Sequence, residues 1–113
     1  MRIVQVIPES NEGGVERGVV ELNREFVKKG IESFVISAGG KLENQINIAG
    51  GNHVKFDVCS KNIFTAFSRV KGLKKILKEI KPDIIHVRSR VPAWLVYFAN
   101  KKLNIKVVST VHG

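Results

Sequence analysis

A single cysteine, Cys59, stands in the whole chain. No internal disulfide and no multi-cysteine zinc site can therefore hold it together, and Cys59 reads as a small, semi-buried apolar residue. No apolar run approaches the roughly 20 residues of a membrane-spanning helix; the longest uncharged apolar run is Val91 to Ala99. The first residues lack the basic region and small-residue cleavage site of a secretory signal, so the expected location is the cytoplasm. No repeat, low-complexity tract or linker divides the 113 residues, a length that suits one domain. Acids are scarce too, but only in the second half. Residues 1–60 carry 7 Lys and Arg against 8 Asp and Glu, whereas residues 61–113 carry 12 against 2, Glu79 and Asp83.

What is present is an ordinary 43% of hydrophobic residues, enough for one core. Six of the bases in the second half fall together, as Arg69, Lys71, Lys74, Lys75, Lys78 and Lys81, with Glu79 alone opposing them. A face of one sign attracts anionic partners such as lipid headgroups or nucleic acid. The plainer reading is a solvated helix face in a lysine-rich protein.

Periodicity divides the chain into alternating strands and helices. Arg2–Ile7 reads as a strand and Val15 to Lys29 as a helix whose Val15, Val19, Leu22 and Phe26 share one stripe, stopped by Gly30. Ser33–Ser37 is a second strand, Leu42–Ala49 a short helix closed by Gly50-Gly51-Asn52, and Val54–Val58 a third strand. Ser60 or Asn62 caps the next helix, with a stripe of Ile63, Phe67, Val70, Leu73 or Lys74, Leu77 and Ile80 before Pro82. Asp83–Val87 is strand four, Val91–Lys102 a helix and Lys106–Val111 strand five. Strands that are apolar on both faces and alternate with helices predict an α/β fold: a doubly wound, Rossmann-like parallel sheet of order 3-2-1-4-5.

Such sheets bind ligands at the carboxyl ends of their strands. That edge receives Pro8–Gly14, Ser37–Lys41, Arg88–Arg90 and Thr110–Gly113. Gly13 and Gly14 precede a helix N-terminus, where unpaired N–H groups and the helix dipole suit a phosphate or pyrophosphate. A plain tight turn is the competing explanation. The loop is not the G-x-G-x-x-G fingerprint, and no acid ends strand two, which argues against a nicotinamide or flavin enzyme. Arg88 and Arg90 flank Ser89 and can grip a phosphate or carboxylate in bidentate fashion. His112 follows strand five directly and can donate to a substrate hydroxyl or phosphate. His86, inside strand four, reads as a packed imidazole, and His53 as an idle loop residue. Trp94, Tyr97 and Phe98 read as core. No histidine pair has metal-ligand spacing, and Ser89 lacks the glycines of a nucleophile elbow.

Taken in order, strand–GGVERG–helix, VISAGGKLENQI, SKN, PDIIHVRSRVPAW and the terminal STVHG resemble the N-terminal half of family-4-type, GT-B-fold glycosyltransferases of the bacterial cell envelope, those acting on lipopolysaccharide-type acceptors. The likeness spans essentially the whole chain. It implies two Rossmann-like domains, retention of anomeric configuration, no metal and no cofactor, the nucleotide-diphospho-sugar being a substrate. It also implies that this half mainly holds the acceptor, an envelope glycolipid or saccharide. Gly13 and Gly14 match the loop that approaches the donor diphosphate. His112 matches the family's histidine that contacts the transferred sugar. Arg88 and Ser89, with Arg90 beside them, fall in the acceptor-side loop.

The family's donor domain, with its basic pair and nucleotide-orienting acid, has no counterpart in residues 1–113. The expectation is a partial acceptor-side domain, inactive alone, whose partner is a separately encoded or excised donor domain. Peripheral attachment to the inner face of the plasma membrane through Arg69, Lys71, Lys74, Lys75 and Lys78 is the expected placement. The alternative is a non-enzymatic module docking on anionic lipid or nucleic acid through the same helix. Nucleic acid is disfavoured, because no recognition motif is present and the aromatics read as buried.

Overall fold

The computed structural model describes residues 1–7, 13–37, 42–56, 66–87, 96–101 and 103–109. Strands β1 (Arg2–Val6), β2 (Glu32–Ser37), β3 (Asn52–Lys55), β4 (Ile84–Val87) and β5 (Lys106–Ser109) form one sheet of order β3-β2-β1-β4-β5. Every pairing is parallel. The order is the one that strand–helix alternation predicts. Helices α1 (Gly13–Lys28), α2 (Leu42–Ile48) and α3 (Ala66–Ile80) connect the strands, and residues 96–99 form a further helical stretch.

The register assigns each helix a face of the sheet. Gln5, Val35, His53, His86 and Val108 make one row, and Val4, Phe34, Asn52, Ile85 and Val107 the adjacent row. Successive residues of a strand point to opposite faces, so the two rows serve two cores. Val4, Val6, Ile36, Ile85 and Val87 pack with Leu73, Leu77 and Ile80 of α3 and with Val96 and Ala99. Ile7 and Val35 pack with Val19 and Val20 of α1 and with Ile46 of α2. Covering both faces is what makes the central strands largely apolar.

The boundaries differ from expectation in instructive places. Helix α1 begins at Gly13, not Val15, so the glycine pair is the helix's first turn instead of the loop before it. First-turn N–H groups have no intrahelical partner in any case, so the helix can begin there with no bond forgone. Strand β3 begins at Asn52, two residues early. The Gly51 N–H bonds to the Ile46 carbonyl at 2.9 Å and ends the turn at once, while the His53 N–H donates to Asn47 Oδ1 at 3.2 Å. In α3, Leu73 is buried and Lys74 only partly so, which settles the stripe. Phe98 and Tyr97 correct the reading of the aromatics as core, being 42% and 66% exposed. Val96 and Ala99 take the two inward positions of that helical stretch, and the residues between them turn outward at about 100° per residue. Ser60, Asn62, Cys59 and Trp94 lie outside the described residues.

The opposite end of the sheet is tied by Arg2. Its backbone N–H donates to Asp83 Oδ2 at 2.7 Å, its guanidinium pairs with Glu32 and donates to the Ile80 carbonyl at 2.7 Å. One side chain thus joins β1 to β2, and to the last turn of α3, where a cation complements the helix dipole.

Candidate functional site at the carboxyl edge

Because all five strands run parallel, their carboxyl ends share one edge. Val6, Ile36 and Val87 align there across β2, β1 and β4, and Val87 aligns with Ser109 of β5. The Ile7 N–H extends the ladder by bonding to the Ile36 carbonyl at 3.1 Å. Helix α1 starts at Gly13, six residues after Ile7, and its unpaired N–H groups, those of Gly13 and Gly14 first, gather at its start. Arg88 is joined directly to Val87, and His112 stands three residues after Ser109. Arg88, Ser89, Arg90 and His112 themselves lie outside the described residues.

The edge holds a pair that the sequence did not signal. Ser37, fully buried at the end of β2, has its Oγ 2.5 Å from His53 Nε2 on β3. The idle loop histidine is therefore a half-buried strand residue that pins β2 to β3 immediately before Ala38. Its Nδ1 is buried and has no hydrogen-bond partner among the described residues. A charged imidazolium would place a second N–H there with nothing to accept it. Burial holds the His53 imidazole below its ordinary 6.5, with Glu43 acting against the shift and Lys55 adding to it. The only hint in the sequence was a histidine two residues beyond the glycine pair, and moving the strand by two residues was needed to use it.

Gln5 is the second polar residue in an apolar setting. It is fully buried in the central strand, and its Nε2 donates to the Val19 carbonyl of α1 at 3.4 Å. His86 is its register neighbour and is partly buried, in keeping with a packed imidazole. Among the described residues no three His, Cys, Asp or Glu come together as a metal site.

The basic helix divides in two. Lys71, Lys75 and Lys78 are exposed and Lys74 is partly exposed. At about 100° per residue these four share one arc with Lys81. Arg69 falls outside that arc, and its Nε is buried, which removes it from the lysine face. No helix among the described residues is long and apolar enough to cross a membrane.

Comparison with known proteins bears on what this edge does. Residues 12–113 match Glycosyltransferase Family 4. An enzyme of Campylobacter jejuni named GalNAc-α-(1→4)-GalNAc-α-(1→3)-diNAcBac-PP-undecaprenol α-1,4-N-acetyl-D-galactosaminyltransferase is 32% identical over 88 residues, which are 74% of this chain and 24% of that protein. The crystal structure of a glycosyltransferase from Rickettsia africae superposes with a TM-score of 0.82 at 35% identity, over 96% of this chain and 28% of that one. MurG of Acinetobacter baumannii shares the fold, with a TM-score of 0.74 at 12% identity over 97% of this chain and 34% of that one. The 113 residues thus span about a quarter to a third of these relatives. With its parallel 3-2-1-4-5 sheet and Rossmann-like layering, this chain belongs to glycosyltransferase family 4.

Proposed function

We propose that the chain is the acceptor-side part of a retaining, metal-independent glycosyltransferase that moves a sugar from a nucleotide-diphospho-sugar to a lipid-linked saccharide of the cell envelope. The observation that carries the reading is the family match over residues 12–113, on a parallel sheet with α1 starting at Gly13-Gly14. The name of the Campylobacter jejuni relative, which specifies an undecaprenol-linked acceptor, supports the choice of acceptor class.

In this reading the first-turn N–H groups of α1 donate to the diphosphate of the donor, and the positive end of the helix favours its charge. His112 donates to a hydroxyl of the transferred sugar. Arg88 and Arg90 hold an anionic group of the acceptor, with Ser89 as an added donor. Transfer builds negative charge on the leaving diphosphate, and groups that stabilise that charge usually supply the largest part of the rate. The glycine turn offers only a few such donors, each contributing about 1.5–3 kcal/mol before the entropy of association is subtracted. The remaining donor contacts belong to a second domain, so these residues alone bind a nucleotide-sugar at about millimolar or weaker, near −4 kcal/mol. The enzyme works at the inner face of the plasma membrane.

An NMR titration tests the site. Adding a nucleotide-diphospho-sugar should shift the Gly13 and Gly14 amides, and adding a soluble diphospho-saccharide should shift residues 88–90. Shifts confined to the amino ends of the strands would overturn the assignment.

A further inference from the structure

The Ser37–His53 pair has no part in the proposed transfer, yet it closes a chain of hydrogen bonds that reaches the ligand edge. From α1, Asn23 Nδ2 donates to the Ile46 carbonyl of α2 at 3.4 Å. From α2, Asn47 Oδ1 accepts the His53 N–H at 3.2 Å. His53 Nε2 lies 2.5 Å from Ser37 Oγ, and the Phe56 N–H donates to the Ser37 carbonyl at 2.8 Å. Ser37 is thus held from the β3 side by both its backbone and its side chain. The preceding carbonyl, that of Ile36, accepts the Ile7 N–H at 3.1 Å, and from Ile7 the chain leads on to Gly13-Gly14.

The surroundings of His53 select its tautomer. Nδ1 is buried and has no hydrogen-bond partner among the described residues. A proton there would lack an acceptor, whereas a proton on Nε2 has Ser37 Oγ. The neutral ring therefore carries its proton on Nε2 and donates to Ser37. A second proton enters at Nδ1, where it leaves a buried N–H unpaired. The groups around the ring come from three elements: Ser37 from β2, Glu43 and Asn47 from α2, and Lys55 from β3 itself. Burial pushes the imidazole below its ordinary value, Glu43 opposes that and Lys55 adds to it.

We propose that Ser37 and His53 form a protonation-sensitive latch on the donor site. With His53 neutral, the latch holds the end of β2 in its ligand-binding position; with His53 charged, it opens and binding weakens. The inference rests on the donor site proposed above and adds its regulation by pH. Strand β3 is four residues long, so one side-chain bond is a sizeable share of what ties it to β2. A charged ring pairs its Nδ1–H by turning out to water, which withdraws Nε2 from Ser37 Oγ. Ser37 leads directly into Ala38-Gly39-Gly40-Lys41, one of the segments that the sheet order assigns to the ligand edge. Linkage supplies a sign that separates this device from simple charge attraction. A ligand that favours the closed, neutral latch lowers the pH at which His53 takes up its proton. Attraction between an anionic ligand and the imidazolium would raise it.

The test is an NMR titration of the chain with UDP-N-acetylglucosamine, whose two phosphates stay ionised throughout, at about pH 7.5 and about pH 5.5. Without the nucleotide-sugar, the nitrogen shifts of the His53 ring should show the Nε2–H tautomer. The Ser37 and Phe56 amides should move with the His53 titration, whose midpoint lies below 6.5. The dissociation constant read at Gly13 and Gly14 should rise about two- to tenfold at the lower pH, the worth of one hydrogen bond. Excess nucleotide-sugar should lower the His53 midpoint. His53→Gln, whose amide donates to Ser37 and takes no charge, should bind as the native chain does at the higher pH and lose the acid weakening. Ser37→Ala should bind about two- to tenfold worse already at the higher pH, with circular dichroism checking that both variants are folded. An Nδ1–H tautomer, an acid weakening that persists in His53→Gln, or a His53 midpoint raised by the nucleotide-sugar would overturn the proposal. Absence of Gly13 and Gly14 shifts at both pH values would count against the donor site instead, and with it the coupling. The latch itself is still decided by the tautomer and by the Ser37 and Phe56 amides.

Discussion

Asn23 lies fully buried in the middle of α1, and its side chain fills the space beside Gly51. A Cβ on Gly51 would fall 2.0 Å from Asn23 Oδ1. Moving the amide aside would also forfeit its bond to the Ile46 carbonyl, 3.4 Å from Nδ2. Gly51→Ala should therefore destabilise the chain by about 1–3 kcal/mol, as overpacking does, and thermal melting would read it. Adding Asn23→Ala relieves the clash, so the double variant should lose less than the two single losses summed. A Gly51→Ala chain that melts with the native one would refute the packing. At His53 the sign is set by a folded value below the unfolded 6.5. The unfolded chain takes up the proton first, so this contribution is full above pH 6.5 and is lost as pH falls through the folded value. The melting midpoint should drop less on acidification in His53→Gln than in the native chain. Parallel pH profiles for the two would remove the role of the buried imidazole.

The residue that follows helix α3 does not suit its backbone. Lys81 has φ 53, a left-handed conformation that costs an L-residue about 1–2 kcal/mol and glycine almost nothing. Lys81→Gly should leave stability unchanged or raise it by up to about 1 kcal/mol, after the entropy of glycine is counted. A fall in the chemical denaturation midpoint would contradict the strain. The elements themselves were mostly legible, because 3.6-residue and 2-residue periods survive in the sequence. Their edges were not: β3 starts early because Asn47 and Gly51 close the preceding turn by hydrogen bonds that no period reveals. Tyr97 and Phe98 misled for a related reason. Hydrophobicity alone does not say which residues of a short helix face inward, and the small Val96 and Ala99 hold those positions.

At the scale of the whole molecule, the sheet order followed from alternation and right-handed crossovers, and the ligand edge followed from the sheet order. What sequence could not supply was side-chain pairing across strands, and so the Ser37–His53 contact went unseen. The lysine face shows the limit from the other side: charge counting found the helix, but grouped Arg69 with lysines that point elsewhere. The central claim is that these residues form one side of a sugar-transfer site completed by a second domain. The most direct measurement is a transfer assay with a nucleotide-diphospho-sugar and a polyprenyl-diphosphate saccharide. It compares this chain alone, this chain with the donor domain of a related family-4 enzyme, and that pair carrying His112→Ala. No turnover is expected from the chain alone. The pair should turn over, and His112→Ala should lower its rate by up to about tenfold, the scale of losing one hydrogen bond of about 0.5–1.5 kcal/mol to a sugar hydroxyl. Robust transfer by the chain alone would contradict the claim.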